Sequence, residues 1–147
     1  LVRSRVLNYG NENLSEQKKE ELTMSEMCMR YRMSERDAYY SGRVVNGARN
    51  VTLMGDCATR LMAKEYGNIG RCVAVPKCRL YAPCYPGDYM EYHDRITGVD
   101  GNRVTVETRC FKVACVPENP PFESSADILE KPVLCLAAIM IYEVPMI

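Results

Sequence analysis

Residues 46–66, from Asn46 to Tyr66, carry the one long helical pattern in the chain, and everything after it reads as strand. Ala48, Val51, Met54, Ala58, Leu61 and Met62 recur at helical spacing and make one apolar face. Asn46 suits the N-cap, since its side-chain oxygen can accept an otherwise unpaired first-turn N–H. Gly67 suits the stop, because glycine accepts the left-handed conformation that ends helices. Arg49, Thr52, Asp56 and Arg60 occupy the opposite face. A single helix with one apolar face and a run of strands behind it must lie against a sheet.

The strands follow from alternation and from breakers. Met27, Met29, Tyr31 and Met33 fall on one side of residues 27–33, with Arg30 and Arg32 on the other. After the helix, Arg71–Tyr81 reads as a strand whose Pro76 marks an edge or a bulge. The run from Ala82 to Asp88 is a turn broken by Pro86-Gly87. Tyr89–Val99 and Arg103–Val116 are paired strands joined by the hairpin signal Asp100-Gly101-Asn102. Val104, Val106 and Cys110 share one phase and Phe111, Val113 and Cys115 the other, so a bulge is expected near Cys110. Residues 117–125 form a Pro-rich loop, Ala126–Lys131 a short turn, and Val133–Tyr142 an apolar run. That run suits a central strand buried on both faces, or on one face with a partner subunit on the other. Residues 1–25 are mostly polar and read as a flexible N-terminal arm; residues 26–147 read as one domain. Strand, long helix and four strands linked by hairpins give an α+β architecture with an antiparallel sheet.

Composition narrows the class. A chain of 147 residues can bury roughly two-thirds of its unfolded surface in one core. Its formal net charge is zero, which gives no drive toward nucleic acid or an anionic membrane. No apolar run reaches membrane-spanning length, and no apolar signal segment opens the chain. The eight cysteines are scattered among Val, Ala and Leu, where a free thiol behaves as a small apolar filler. A reducing, cytoplasmic setting is expected. With no Cys-x-x-Cys pair and His93 as the only histidine, no metal site is expected.

Several stretches resemble a known family. A helix wrapped by an antiparallel sheet, with the turn Ala82-Pro83-Cys84-Tyr85-Pro86-Gly87-Asp88 after the first post-helix strand, resembles the hotdog fold of proteins acting on acyl thioesters. Met33-Ser34, Asp37-Ala38, Tyr40, Gly42 and Val45-Asn46-Gly47-Ala48-Arg49 resemble the CoA-thioester ammonia lyases. Gly55-Asp56, Ala58-Thr59, Met90-Glu91-Tyr92-His93, Lys112-Val113 and Pro132-Val133-Leu134-Cys135 continue the likeness, which spans about residues 27–140. The resemblance implies reversible loss of ammonia from a β-aminoacyl-CoA, such as 3-aminobutyryl-CoA or β-alanyl-CoA, in amino-acid fermentation. It implies a homodimer or dimer-based oligomer, with a hexamer among the options, and no cofactor beyond the CoA that the substrate carries. This chain has Tyr39 where the family usually has histidine and Arg109 where it usually has an acid. A hotdog thioesterase, an enoyl-CoA hydratase and a non-catalytic acyl-CoA-binding paralogue are the alternatives.

The chemistry asks for particular groups. A protonated amine is a competent leaving group, so the hard step is removing the proton beside the thioester carbonyl. That step needs a base and stabilisation of the enolate oxygen. The N–H groups around Asn46-Gly47 at the helix start can supply the second. Asp56 is the favoured base, Asp37 the second candidate, and Tyr40 a substrate hydrogen-bond partner. An ordinary Asp56–Arg60 ion pair is the competing reading of Asp56. Tyr39 belongs to the substrate-binding set, and Arg49, Arg79, Lys77 and Lys112 are candidates for CoA phosphate contact.

Overall fold

The computed structural model describes residues 16–23, 25–38 and 40–145. In chain order these form α1 (Glu16–Thr23), β1 (Glu26–Arg32), a 3-10 turn (Glu35–Asp37), α2 (Gly47–Tyr66), β2 (Arg71–Leu80), β3 (Tyr89–Asp100), β4 (Arg103–Cys115) and β5 (Asp127–Glu143). The long helix starts and stops where its caps dictate. The Asn46 side chain accepts the Ala48 N–H at 3.0 Å, and Gly67 closes the helix at φ 64°.

The strands make one antiparallel sheet in the order β1-β3-β4-β5-β2. Period-two alternation sends Met90, Tyr92, Asp94 and Ile96 of β3, and Val104, Val106, Thr108 and Cys110 of β4, to the face that α2 covers. Leu53, Met54, Cys57, Ala58, Leu61 and Met62 meet them from the helix. The buried helix face is rotated from the sequence expectation: Ala48 is exposed and Val51 half-buried, while Asn50, Leu53 and Cys57 are buried.

Several expectations hold in detail. The β3–β4 hairpin turns at Gly101-Asn102, and the β4–β5 register shifts between Cys110 and Phe111. Pro76 lies in β2, an edge strand whose pairing is irregular from Cys72 to Lys77.

Others need correction. β2 does not pair with its successor β3 but crosses to the far edge beside β5. The stretch expected as a turn is strand from Asp127 onward, because Asp127 and Ile128 pair with Cys115 and Ala114 past a register shift in β4. The apolar run in β5 is not the central strand; β4 is. Leu136, Ala138, Met140 and Tyr142 of β5 are buried against the core, while Ala137, Ile139 and Ile141 on the other face are half-buried. Within the stretch expected as an arm, residues 16–23 form α1, which packs beside β3; residues 1–15 lie outside the described residues. No helix among the described residues is long and apolar enough to cross a membrane.

Candidate active site

The N-terminal end of α2 carries two linked features. The first is a buried carboxylate. Asp37, 4% exposed, ends the 3-10 turn, and its Oδ2 accepts the Ser34 N–H at 2.8 Å and the Ser34 hydroxyl at 3.1 Å. The Tyr31 hydroxyl donates to the same oxygen at 3.1 Å. Arg49, one turn into α2, donates its Nε–H to Oδ1 at 2.8 Å and its Nη2 to the Tyr31 oxygen at 3.2 Å. Burial works against the Asp37 charge. The Ser34 amide, Arg49 and Tyr31 outweigh it and hold the carboxyl below its ordinary value. A carboxylate with its lone pairs so occupied anchors Arg49 well and makes a poor base.

The second feature is a cleft of about 440 Å³ beside it. Tyr40, Asn46, Gly47 and Asn50 line one wall; Leu80, Tyr81, Pro83 and Cys84 line the other. A hydrogen bond from the Val45 N–H to the Cys84 carbonyl, 2.8 Å, ties the walls together. Gly47 lets the Leu80 side chain lie against the helix start; a Cβ there would push the end of that side chain aside. Asn46 satisfies two first-turn donors, taking the Ala48 N–H on its side chain and the Arg49 N–H on its carbonyl. Among the described residues this leaves the Gly47 N–H without an internal acceptor at the positive end of the helix.

Asn50 is a polar residue that the sequence reading passed over. It is buried, and its Oδ1 accepts the Tyr92 hydroxyl at 2.7 Å and the Cys110 thiol at 3.6 Å. Its Nδ2 donates to Cys84 Sγ at 3.3 Å. An asparagine in line with Met54, Cys57 and Leu61 on an apolar helix face was the available signal. It fixes the back wall of the cleft to the core.

The remaining candidates scatter. Tyr40 is exposed at the cleft rim. Asp56 is exposed on α2 and, among the described residues, forms neither a hydrogen bond nor an ion pair through its carboxylate, so the Asp56–Arg60 pair is not made. It stands about 15 Å along the helix axis from Asn46. Lys112 is engaged elsewhere: its ammonium lies 2.9 Å from Asp88, donates to the Pro83 carbonyl at 3.0 Å and sits over the Tyr85 ring. It pins the Ala82–Asp88 turn to β4 and is not free to meet a phosphate. Arg79 and Lys77 are exposed on edge strand β2. Tyr39 lies outside the described residues. Arg109, on the outer face of β4, pairs with Glu107 at 3.6 Å.

A long helix clasped by a five-stranded antiparallel sheet, with a cleft at the helix N-terminus, defines a hotdog-fold protein. No protein-family model matches the chain. It is 37% identical over 112 residues to the 3-aminobutyryl-CoA ammonia lyase of Acetoanaerobium sticklandii, covering 75% of this chain and 86% of that protein. It superposes on the β-alanyl-CoA:ammonia lyase of Clostridium propionicum with a TM-score of 0.76 at 35% identity, covering 82% and 85% of the two chains. A hexameric thioesterase from Yersinia pestis shares the fold alone, with a TM-score of 0.66 at 11% identity over 83% of this chain and 88% of that one. The chain belongs to the CoA-thioester ammonia lyases, carbon–nitrogen lyases of the hotdog fold.

Proposed function

We propose that the chain eliminates ammonia reversibly from a short β-aminoacyl-CoA, giving the enoyl-CoA, and that each site is assembled from two chains. The observation that carries this is the separation of the two groups the reaction needs. The Gly47 N–H is placed to receive the thioester oxygen at the cleft. A base for the neighbouring carbon must then act within a few ångströms of that point. Asp56 of the same chain is about 14 Å away along α2 and cannot. Asp56 of a second chain can, and β2 offers the means of bringing it there. That strand pairs on one side only and ends at Leu80, with Tyr81 following it on the cleft wall. Val75 and Leu80 of the strand are exposed, as is Tyr81 just after it.

In this reading the Asp56 carboxylate takes the proton beside the carbonyl, and the C–H electron pair moves into the enolate held at Gly47. The enolate collapses to the carbon–carbon double bond as the C–N bond breaks, and its electron pair leaves with ammonia. Asp37 and Arg49 act as a preset wall behind the amino group, with Tyr40 at the rim. Arg79 and Lys77 are the phosphate contacts that remain available, since Lys112 is tied to Asp88. CoA arrives with the substrate and no other cofactor is needed. A homodimer, alone or within a larger assembly, working in a reducing cytoplasm is the consistent setting; the eight cysteines are free thiols.

The test supplies crotonyl-CoA or acryloyl-CoA with and without ammonium and identifies products by mass. Ammonium-dependent formation of the aminoacyl adduct is expected. Water addition or CoA release without ammonium would instead make the protein a hydratase or a thioesterase. Asp56→Asn should keep stability within about 0.5 kcal/mol and lose activity. Mixing Asp56→Asn with an inactive Gly47→Val variant should restore activity in the mixed oligomer, where one site is intact. Failure to complement, with mixed oligomers present, would reject the shared site.

A further inference from the structure

On the opposite face of the sheet from α2, strand pairing gathers three donors of different kinds. Cys28 on β1 stands directly across from His93 on β3, and Glu91 lies two residues earlier on the same face of β3. Directly opposed residues hold their Cβ atoms about 5 Å apart. Cys28 Sγ, a Glu91 carboxylate oxygen and a His93 ring nitrogen all fall within 4.8 Å of one another. The Phe111 ring meets the imidazole edge-on, with centroids 5.5 Å apart and planes at 80°, which limits how the imidazole turns. A cleft of about 510 Å³ opens over the three.

We propose that Cys28, Glu91 and His93 form a binding site for a divalent transition metal of the zinc type, with a fourth position open to water. Thiolate, imidazole and carboxylate together suit zinc, cobalt or nickel and do not suit magnesium or calcium. Metal–ligand bonds of about 2.0–2.3 Å require the donors to close by roughly an ångström, which side-chain rotation supplies while the paired strands stay fixed. The thiolate and carboxylate charges balance a dication. Arg30, 3.9 Å from Glu91, competes for that carboxylate, but its side chain is 82% exposed and can swing into water. The metal takes the place of the Cys28 thiol proton on binding. The sequence argues against zinc because it holds no Cys-x-x-Cys pair and a single histidine; the β1–β3 register assembles the site instead.

Cobalt(II) titrated into the full chain tests this. A saturable thiolate-to-cobalt absorption band with tetrahedral ligand-field bands is expected, at one equivalent per chain and displaceable by zinc. Cys28→Ser should remove the thiolate band, and His93→Ala should weaken zinc binding by at least about 100-fold, beyond the loss of an outer-shell partner. Cys72→Ser, at an exposed thiol on β2, should change neither. A thiolate band that survives Cys28→Ser, or the absence of saturable binding to the wild-type chain, would overturn the proposal. Cys28 and His93 are exposed, so both variants should keep the wild-type circular dichroism spectrum.

Discussion

One buried carboxylate lies at the N-terminal end of α2 and another beneath its middle, beside Cys57, and they behave in opposite ways. Asp37 is 4% exposed and Asp94 is 2% exposed. Asp37 accepts from a backbone amide, two hydroxyls and a guanidinium, and its carboxyl is held below the ordinary range. Asp94 faces the α2 side of β3, and neither of its oxygens makes a well-formed hydrogen bond among the described residues. Burial pushes it up to about 7, tempered by Thr108 and Cys57 beside it. Similar solvent exposure therefore goes with opposite shifts: Asp37 is held charged, while Asp94 keeps its proton up to about neutral pH. The donors placed around Asp37 outweigh its burial, whereas around Asp94 burial outweighs the few groups beside it. The satisfied carboxylate sits at the proposed site, where a fixed charge organises Arg49. The unsatisfied one sits in the core, where it serves best as the neutral acid.

The contrast can be broken from either side. Arg49→Met leaves Asp37 buried without its cation and should cost about 3 kcal/mol in urea unfolding at neutral pH. That loss should shrink in acid. A lowered carboxyl contributes stability above its unfolded value, and the contribution disappears as pH falls through the folded one. Asp94→Asn should run the other way. A raised carboxyl contributes stability below its unfolded value, and that is lost as pH climbs toward about 7. The variant should exceed wild type by on the order of 3 kcal/mol at pH 8 and match it near pH 4. Equal stability at both pH values would place a partner on Asp94 and end the comparison. Tyr31→Phe removes one donor from Asp37 and one acceptor from Arg49, and should cost about 1 kcal/mol. Its effect on ammonia addition would show how much of the Arg49 position depends on that hydroxyl.

Much of the fold was legible because local rules coincide with tertiary demand. Asn46 and Gly67 end the helix by backbone chemistry that holds in any context. Asp100-Gly101-Asn102 turns the hairpin for the same kind of reason, and the phase change at Cys110 marks a real register shift. The candidate site was legible in composition more than in geometry. Tyr40, Asn46 and Gly47 do meet at one cleft, and Asp37 meets Arg49. Lys112 reads as a phosphate ligand in sequence because nothing local reveals that Asp88 and the Pro83 carbonyl take its ammonium. Asn50 was hidden by its apolar neighbours, since only the fold brings Tyr92, Cys110 and Cys84 around its amide.

What the sequence by itself determined is the long helix with its two caps, the five strands and the β3–β4 hairpin, together with the family. Those depend on caps, breakers and periodicity, which act over a few residues. Tertiary structure alone decided which strands are neighbours and which charges are satisfied. It placed β2 at the far edge beside β5, separated Gly47 from Asp56 along one rigid helix, and set Cys28 opposite His93. The reason is one of range. A cap or a turn is an interaction between adjacent residues, whereas strand order and the environment of a buried carboxylate arise between residues far apart in the chain. Their energies exist only once the core has closed.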